Sequence, residues 1–382
     1  MLFTIAASPL LYSSGVSFQT ISLGFGLLYS ILALAEIPTG ISADIFGAKK
    51  ASILGGILQT SALVLFGFGD NSKIQILSAF AMYGLGSSFV SGALSSLMFG
   101  NVKNSEGVDF NSSHYFSSLE KVAVASYILA SISIGILSEF LGRASFLFGA
   151  IFFAAAATVL AIGFKNDGAD RKHRSLVDEY SQKLSKGMSA IKSSLQLKIL
   201  LPIRILHQIE TILGVLWLPW IVQLGGGNKI WISILSTGAY LLRYLVNHFV
   251  AKKSEPRSFM PRIAFSLSVM ALGAFICTIT HNVWFALLGV WAMAGARGAF
   301  LPSVQAILHA EFNEEVRSTG LSVVNFSTEV MIALSYFVSS IIIDHISVPI
   351  AWGISSVSFL AACAIAILFN RESKYEQKTA NY

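Results

Sequence analysis

The 382-residue chain is 54% hydrophobic and 12% charged, with a mean hydropathy of +0.69. Soluble domains carry roughly 25% charged residues, so a soluble enzyme or binding module is excluded in favour of a polytopic membrane protein. The net charge of +6 lies mostly on one side of the expected membrane, so it reports topology and gives no support to nucleic-acid binding.

Residues 1–12 are apolar but few, because crossing about 30 Å of hydrocarbon takes roughly 20 helical residues. Three readings stand: a late start codon, a helix that runs on through Ser13-Ser14-Gly15 to about residue 18, or loss of half a helix. A signal peptide competes, but no basic n-region precedes the run. Apolar segments then recur at 20–41, 51–68, 74–99, 119–140, 144–164, 198–223, 229–251, 261–281, 283–308, 318–343 and 347–369. The expectation is an all-α membrane protein of twelve helices with the first one truncated, in two halves of six. The first half is 1–164, a cytoplasmic linker follows at 165–197, the second half is 198–370, and a cytoplasmic tail covers 371–382. In the linker, Leu176, Val177, Tyr180, Leu184, Met188 and Ile191 recur every three or four residues, which predicts an amphipathic helix along the membrane surface. The two cysteines, Cys277 and Cys363, fall inside apolar segments, against a disulfide framework or a metal site.

Between the second and third segments lies the polar stretch Gly40-Ile41-Ser42-Ala43-Asp44-Ile45-Phe46-Gly47-Ala48-Lys49-Lys50, read as a hairpin. Its pattern G-x-x-x-D-x-x-G-x-K-K resembles the signature loop of the major facilitator superfamily. Preceded by Glu36-Ile37-Pro38-Thr39, it is most similar to the bacterial branch whose second helix ends in E-x-P-T-G-x-x-A-D. Asn313-Glu314-Glu315-Val316-Arg317-Ser318-Thr319 resembles the entry to the eleventh helix of the same superfamily. The equivalent loop of the second half keeps Gly238 and Lys252-Lys253 but no acid. The resemblance stops short of the proton-coupled drug exporters: Phe80 stands where their R-x-x-x-G arginine precedes Gly84, and the fifth segment has no proline.

Basic residues test the sidedness that the resemblance implies. Lys73, Arg143 and Lys229 fall in loops on the outer side, Arg204, Arg243 and Arg297 fall within segments, and the other twenty of the 26 Lys and Arg are cytoplasmic if residues 40–50 are. The positive-inside rule is met, which puts both termini inside if the first helix crosses.

No G-x-x-x-x-G-K-[ST], H-E-x-x-H, C-x-x-C or G-x-S-x-G occurs, so ATP-driven pumping, proteolysis and hydrolysis have no support, and no cofactor or metal is called for. What remains are charges within segments, each expensive unless it faces a cavity or a partner. Arg204, His207, Gln208 and Thr211 share one helical face, with Glu210 one turn from His207. Either Arg204 snorkels while His207 and Glu210 bond each other, or His207 and Glu210 handle protons or solute. Arg297, within Gly295-Ala296-Arg297-Gly298, and Glu329 both lie roughly 9–14 Å from the inner boundary by helical rise. They form a structural ion pair, or Arg297 holds an anionic group while Glu329 titrates. Tyr83, Ser87 and Ser88, with Gln59 and Thr60, are neutral polar candidates for a cavity wall.

The resemblance implies a secondary transporter working by alternating access, with solute near the midplane between halves, and a gating loop made by Gly40, Asp44, Gly47, Lys49 and Lys50. It implies a monomer in the plasma (inner) membrane, whose partners are a small solute, lipid and, where coupled, protons. Efflux of a small organic compound is the first reading and proton-coupled uptake of a metabolite or sugar the second. A non-transporting sensor or scaffold is the alternative of another class.

Overall fold

Hydrocarbon holds no water, so a spanning segment can satisfy its backbone N–H and C=O groups only internally, and each apolar run becomes a helix. The computed structural model describes residues 2–106, 112–163, 189, 192, 194–228, 230–251, 259–311, 317–342 and 345–379, and no strand occurs among them. The expected linker helix at 176–191 and the stretch 312–316 lie outside these residues. The helices are α1 (Leu2–Ser13), α2 (Phe18–Phe46), α3 (Ala48–Phe68), α4 (Lys73–Glu106), α5 (Ser112–Leu141), α6 (Ser145–Gly163), α7 (Leu195–Gln208), α8 (Trp217–Leu224), α9 (Ile230–Ala251), α10 (Phe259–Ile279), α11 (Val283–Glu311), α12 (Arg317–Ile342) and α13 (Val348–Thr379). They number twelve when α7 and α8, joined by a bend of 48°, count as one broken span. Among the described residues seven stretches are long and apolar enough to cross a membrane, one of them the run Ala125–Gly163 over both α5 and α6. The bent pair makes eight.

Two expectations are corrected here. Helix α1 does not run on to residue 18: it ends at Ser13, and the chain turns at Gly15 with φ +90° before α2 begins at Phe18. Nor is 40–50 a polar loop, because α2 continues to Phe46 and α3 starts at Ala48, leaving Gly47 alone between them. Its φ of +94° lies where L side chains are strained, so a glycine is required for so abrupt a turn. Lys49 is half-buried and Lys50 exposed in the first turn of α3, while the side chains of 40–46, Asp44 included, lie outside the description.

The chain divides into two compact units, Met1–Tyr180 and Ser181–Tyr382. In the first, α4 packs against both α2 and α3, and α3 packs on α6. Phe66 and Phe80 meet edge-on at 5.0 Å, with Phe25 and Phe146 completing a fully buried aromatic centre. At the turns, the Arg143 guanidinium donates to the carbonyls of Phe66 and Gly69, and Asn71 Nδ2 donates to Ser14 O at 2.7 Å. In the second unit, α10 packs against α11 and α13, and α11 packs on α9.

The two units share a device that periodicity alone does not reveal. In the first, the face of Gly24 on α2 receives the Phe80 ring of α4, and four residues further along α4 Gly84 lies against the Leu28 carbonyl of α2. In the second, Gly238 on α9 receives the Trp291 ring of α11, and further along α11 Gly298 lies against the Arg243 carbonyl of α9. Small residues let backbones approach, so dispersion and polar contact replace the hydrophobic drive that lipid removes. A Cβ on Gly298 would stand 2.4 Å from that carbonyl, whereas one on Gly295 would meet nothing nearer than 3.7 Å. Gly298→Val is therefore expected to separate α9 from α11 and to lower stability by about 1–3 kcal/mol, read as an earlier thermal transition by fluorescence-detected size exclusion. Gly295→Ala is expected to be tolerated, and equal losses at both positions would contradict this packing.

Candidate functional site

The bent span begins where Ser194 caps α7, its hydroxyl accepting from Leu197 N at 3.2 Å while donating to Glu311 at the end of α11. From there α7 carries Arg204, His207 and Gln208 on one face as far as Gln208. The expected helix does not continue. Ile209–Leu213 winds as a 3-10 segment, the chain turns through Gly214, and α8 restarts at Trp217 with Pro219 in its first turn, where the missing N–H costs nothing. Two β-branched residues beside Thr211, followed by glycine, make this the weakest helical stretch of the span.

Freed carbonyls at the break are met from neighbouring helices. Ser358 Oγ of α13 donates to Leu206 O, and Ser339 Oγ of α12 donates to Ile212 O at 2.9 Å. Gly214 amide donates to Thr211 O at 2.8 Å. Tyr336 lies over Gly214 so closely that a Cβ there would stand 2.4 Å from its hydroxyl.

The break also redirects side chains, so Thr211 and Glu210 leave the Arg204–His207 face. Glu210 does not bond His207; its carboxylate accepts from the Arg297 guanidinium of α11. The sequence offered Glu329 as that partner, and the structure places Glu329 half-buried on α12. Arg297 keeps 30% and Glu210 15% of its side-chain exposure, so the pair is partly buried. His207 is 5% exposed, stacked on Phe300 at 4.6 Å and 9°, and flanked by Phe359 at 5.8 Å. Both its ring nitrogens, and Arg204 Nη1, are buried without a hydrogen-bond partner among the described residues. Gln208, half-buried, ends α7 beside them. Together the group supplies donors of fixed direction, a compensated ion pair and two aromatic walls.

The first-unit candidates are absorbed into packing. Gln59 Nε2 donates to Ser87 Oγ at 2.9 Å, Thr60 and Ser88 bond carbonyls of their own helices, and Tyr83 is buried with its ring edge-on to Phe153. Phe300, Phe359, Tyr336, Ser339 and Ser358 were not singled out from sequence. Gly214 and Pro219 inside an apolar run were the available signal of a discontinuous helix.

The sequence profile described as Major Facilitator Superfamily matches residues 1–263 and again 231–381. A structure of the nucleoside transporter NupG is similar at TM-score 0.73 and 12% identity, over 96% of this chain and 94% of that one. A POT family transporter in complex with 5-aminolevulinic acid is similar at TM-score 0.71 and 12% identity, over 97% and 93%. No curated protein matches the chain in sequence. At these identities the solved structures speak for the fold alone.

Removing one partner of the ion pair leaves the other charge uncompensated in a low dielectric. Glu210→Gln is expected to cost about 1–3 kcal/mol, less than a fully buried pair because Arg297 is 30% exposed. The double change Glu210→Gln with Arg297→Gln is expected to recover most of that loss in thermal unfolding, and additive losses would contradict the pairing.

Proposed function

Since the chain belongs to the major facilitator superfamily, as the profile matches over both halves establish, we propose that this transporter moves a small organic solute outward by alternating access. The observation that carries the reading is the break at 209–216, which sets Glu210 and Arg297 as a pair beside Arg204 Nη1 and the His207 ring nitrogens, orphaned among the described residues. Interrupted helices whose irregular backbone is satisfied by neighbours are where transporters bind. Arg204, His207, Gln208, Glu210, Arg297 and Glu329 are the proposed solute and proton residues, with Tyr83 a weaker candidate because its ring is spent on packing. Residues 1–164 and 198–370 are the proposed halves, and Gly40, Asp44, Gly47, Lys49 and Lys50 the proposed gating segment.

Efflux rests on Glu36-Ile37-Pro38-Thr39-Gly40 at the end of α2, which resembles the exporter-like branch. The proposed location is the plasma (inner) membrane, and the distribution of Lys and Arg supports both termini inside if the first helix spans. The solved relatives, described as a nucleoside transporter and a POT family transporter holding 5-aminolevulinic acid, support a small polar solute. Proton-coupled uptake is the second reading, with His207 and Glu210 as the candidate proton residues.

In proteoliposomes with an imposed pH gradient, a transported solute is expected to produce a pH change that His207→Ala and Glu210→Gln each abolish. Normal coupling in either variant removes that residue from the proton path. Accumulation in inside-out vesicles marks efflux, and in right-side-out vesicles uptake. Asp44→Asn is expected to slow transport without weakening solute binding, and unchanged transport would remove the gating role.

A further inference from the structure

Charges well inside the helices of the second unit do not balance. Arg204, Arg243 and Arg297 stand there against Glu210 and Glu329. Cation and carboxylate in such a setting ordinarily pair, since an unpaired charge in hydrocarbon is costly. Glu210 is taken by Arg297. Arg204, nine residues into α7, has no hydrogen bond or ion pair among the described residues, and its Nη1 is buried. The residue as a whole is half-buried, so it is this one nitrogen that lacks both water and a partner.

One turn on, His207 repeats the anomaly. Its ring is more than nine-tenths buried between Phe300 and Phe359, and neither nitrogen has a partner among the described residues. The guanidiniums of Arg297 and Arg204 both lie near enough to act on its charge. Most buried polar groups in proteins are hydrogen-bonded, and His207 with both ring nitrogens orphaned one turn from the orphaned Arg204 Nη1 asks for an absent partner.

From these observations we propose that the solute is an organic oxyanion, a carboxylate or phosphate, bound by Arg204 through its planar fork and by His207 through one ring nitrogen. The proposal rests on the transporter reading and names the solute class at the same site. A guanidinium presents two parallel N–H groups at the spacing of carboxylate or phosphate oxygens. Organic cations meet Arg204's repulsion, and a neutral solute leaves its charge uncompensated.

Four probes on one body separate the possibilities: benzoate, phenyl phosphate, benzyl alcohol and benzylammonium, each titrated against the purified full-length protein in nanodiscs with thermal unfolding as readout. Benzoate, phenyl phosphate or both are expected to stabilise the wild type in a dose-dependent way, and whichever acts assigns the carboxylate or the phosphate. Arg204→Gln is expected to weaken that apparent affinity about tenfold or more, while Arg262→Gln, whose guanidinium lies over Phe259 at 5.8 Å, keeps it. Arg204→Lys, which keeps the charge and loses the fork, guards against a misfolded Gln variant and is expected to weaken binding to a smaller degree. Stabilisation by the alcohol or the amine alone overturns the proposal, as does equal anion binding by Arg204→Gln, or no shift with any probe. Anion binding without solute-driven transport in vesicles would keep this inference and remove the transporter reading. Transport of an amine would do the reverse.

Discussion

Everything in this molecule answers to the absence of water from the hydrocarbon. Backbone groups that a soluble loop would leave to solvent must be bonded within the protein, so the spanning elements among the described residues are helices and the broken span α7–α8 needs outside help. That help comes from hydroxyls: Ser358 donates to Leu206 O just before the break and Ser339 to Ile212 O within it, and removing the Ser339 donor would cost roughly 1–3 kcal/mol. The same constraint removes hydrophobic attraction between helices, and close crossing at Gly84 and Gly298 takes its place.

The site follows from the break. A continuous helix would keep Glu210 near His207; the 3-10 turn sends its carboxylate to Arg297 instead. One pair is thereby compensated, while Arg204 Nη1 and the His207 ring nitrogens have no hydrogen-bond partner among the described residues. Holding α7 against α11 at the Ser194–Glu311 contact, and against α13 at Ser358, gives the break fixed walls. The flanking helices are tied more rigidly, with Trp291 Nε1 donating to Leu235 O at 2.9 Å and Ser356 Oγ to Ala271 O at 2.9 Å.

Spans were legible in the sequence because length and hydropathy are local: the expected segments 51–68, 261–281 and 318–343 correspond to Ala48–Phe68, Phe259–Ile279 and Arg317–Ile342. Helix ends were less so. A helix need not stop where hydrocarbon does, which is why α2 reaches Phe46 and α4 reaches Glu106, and why the polar stretch at 40–50 is mostly helical. Family membership was legible in the same few residues, since glycine, acid and paired lysines hold a fixed register. Partner choice was not. Whether Arg297 meets Glu329 or Glu210 depends on the rotation of three helices and on a change of pitch that an apolar run does not announce. The duplicated glycine crossings were hidden for a related reason: Gly24 with Phe80 and Gly238 with Trp291 share geometry but not residue spacing.

The central claim is that the interrupted helix is where solute acts. Hydrogen–deuterium exchange of the protein in nanodiscs, with and without a transported solute, tests it most directly. The account predicts that amides of residues 209–216 slow on solute addition while those of α10 and the α9–α11 crossing stay as they were. Unchanged exchange at 209–216 with new protection elsewhere would contradict it.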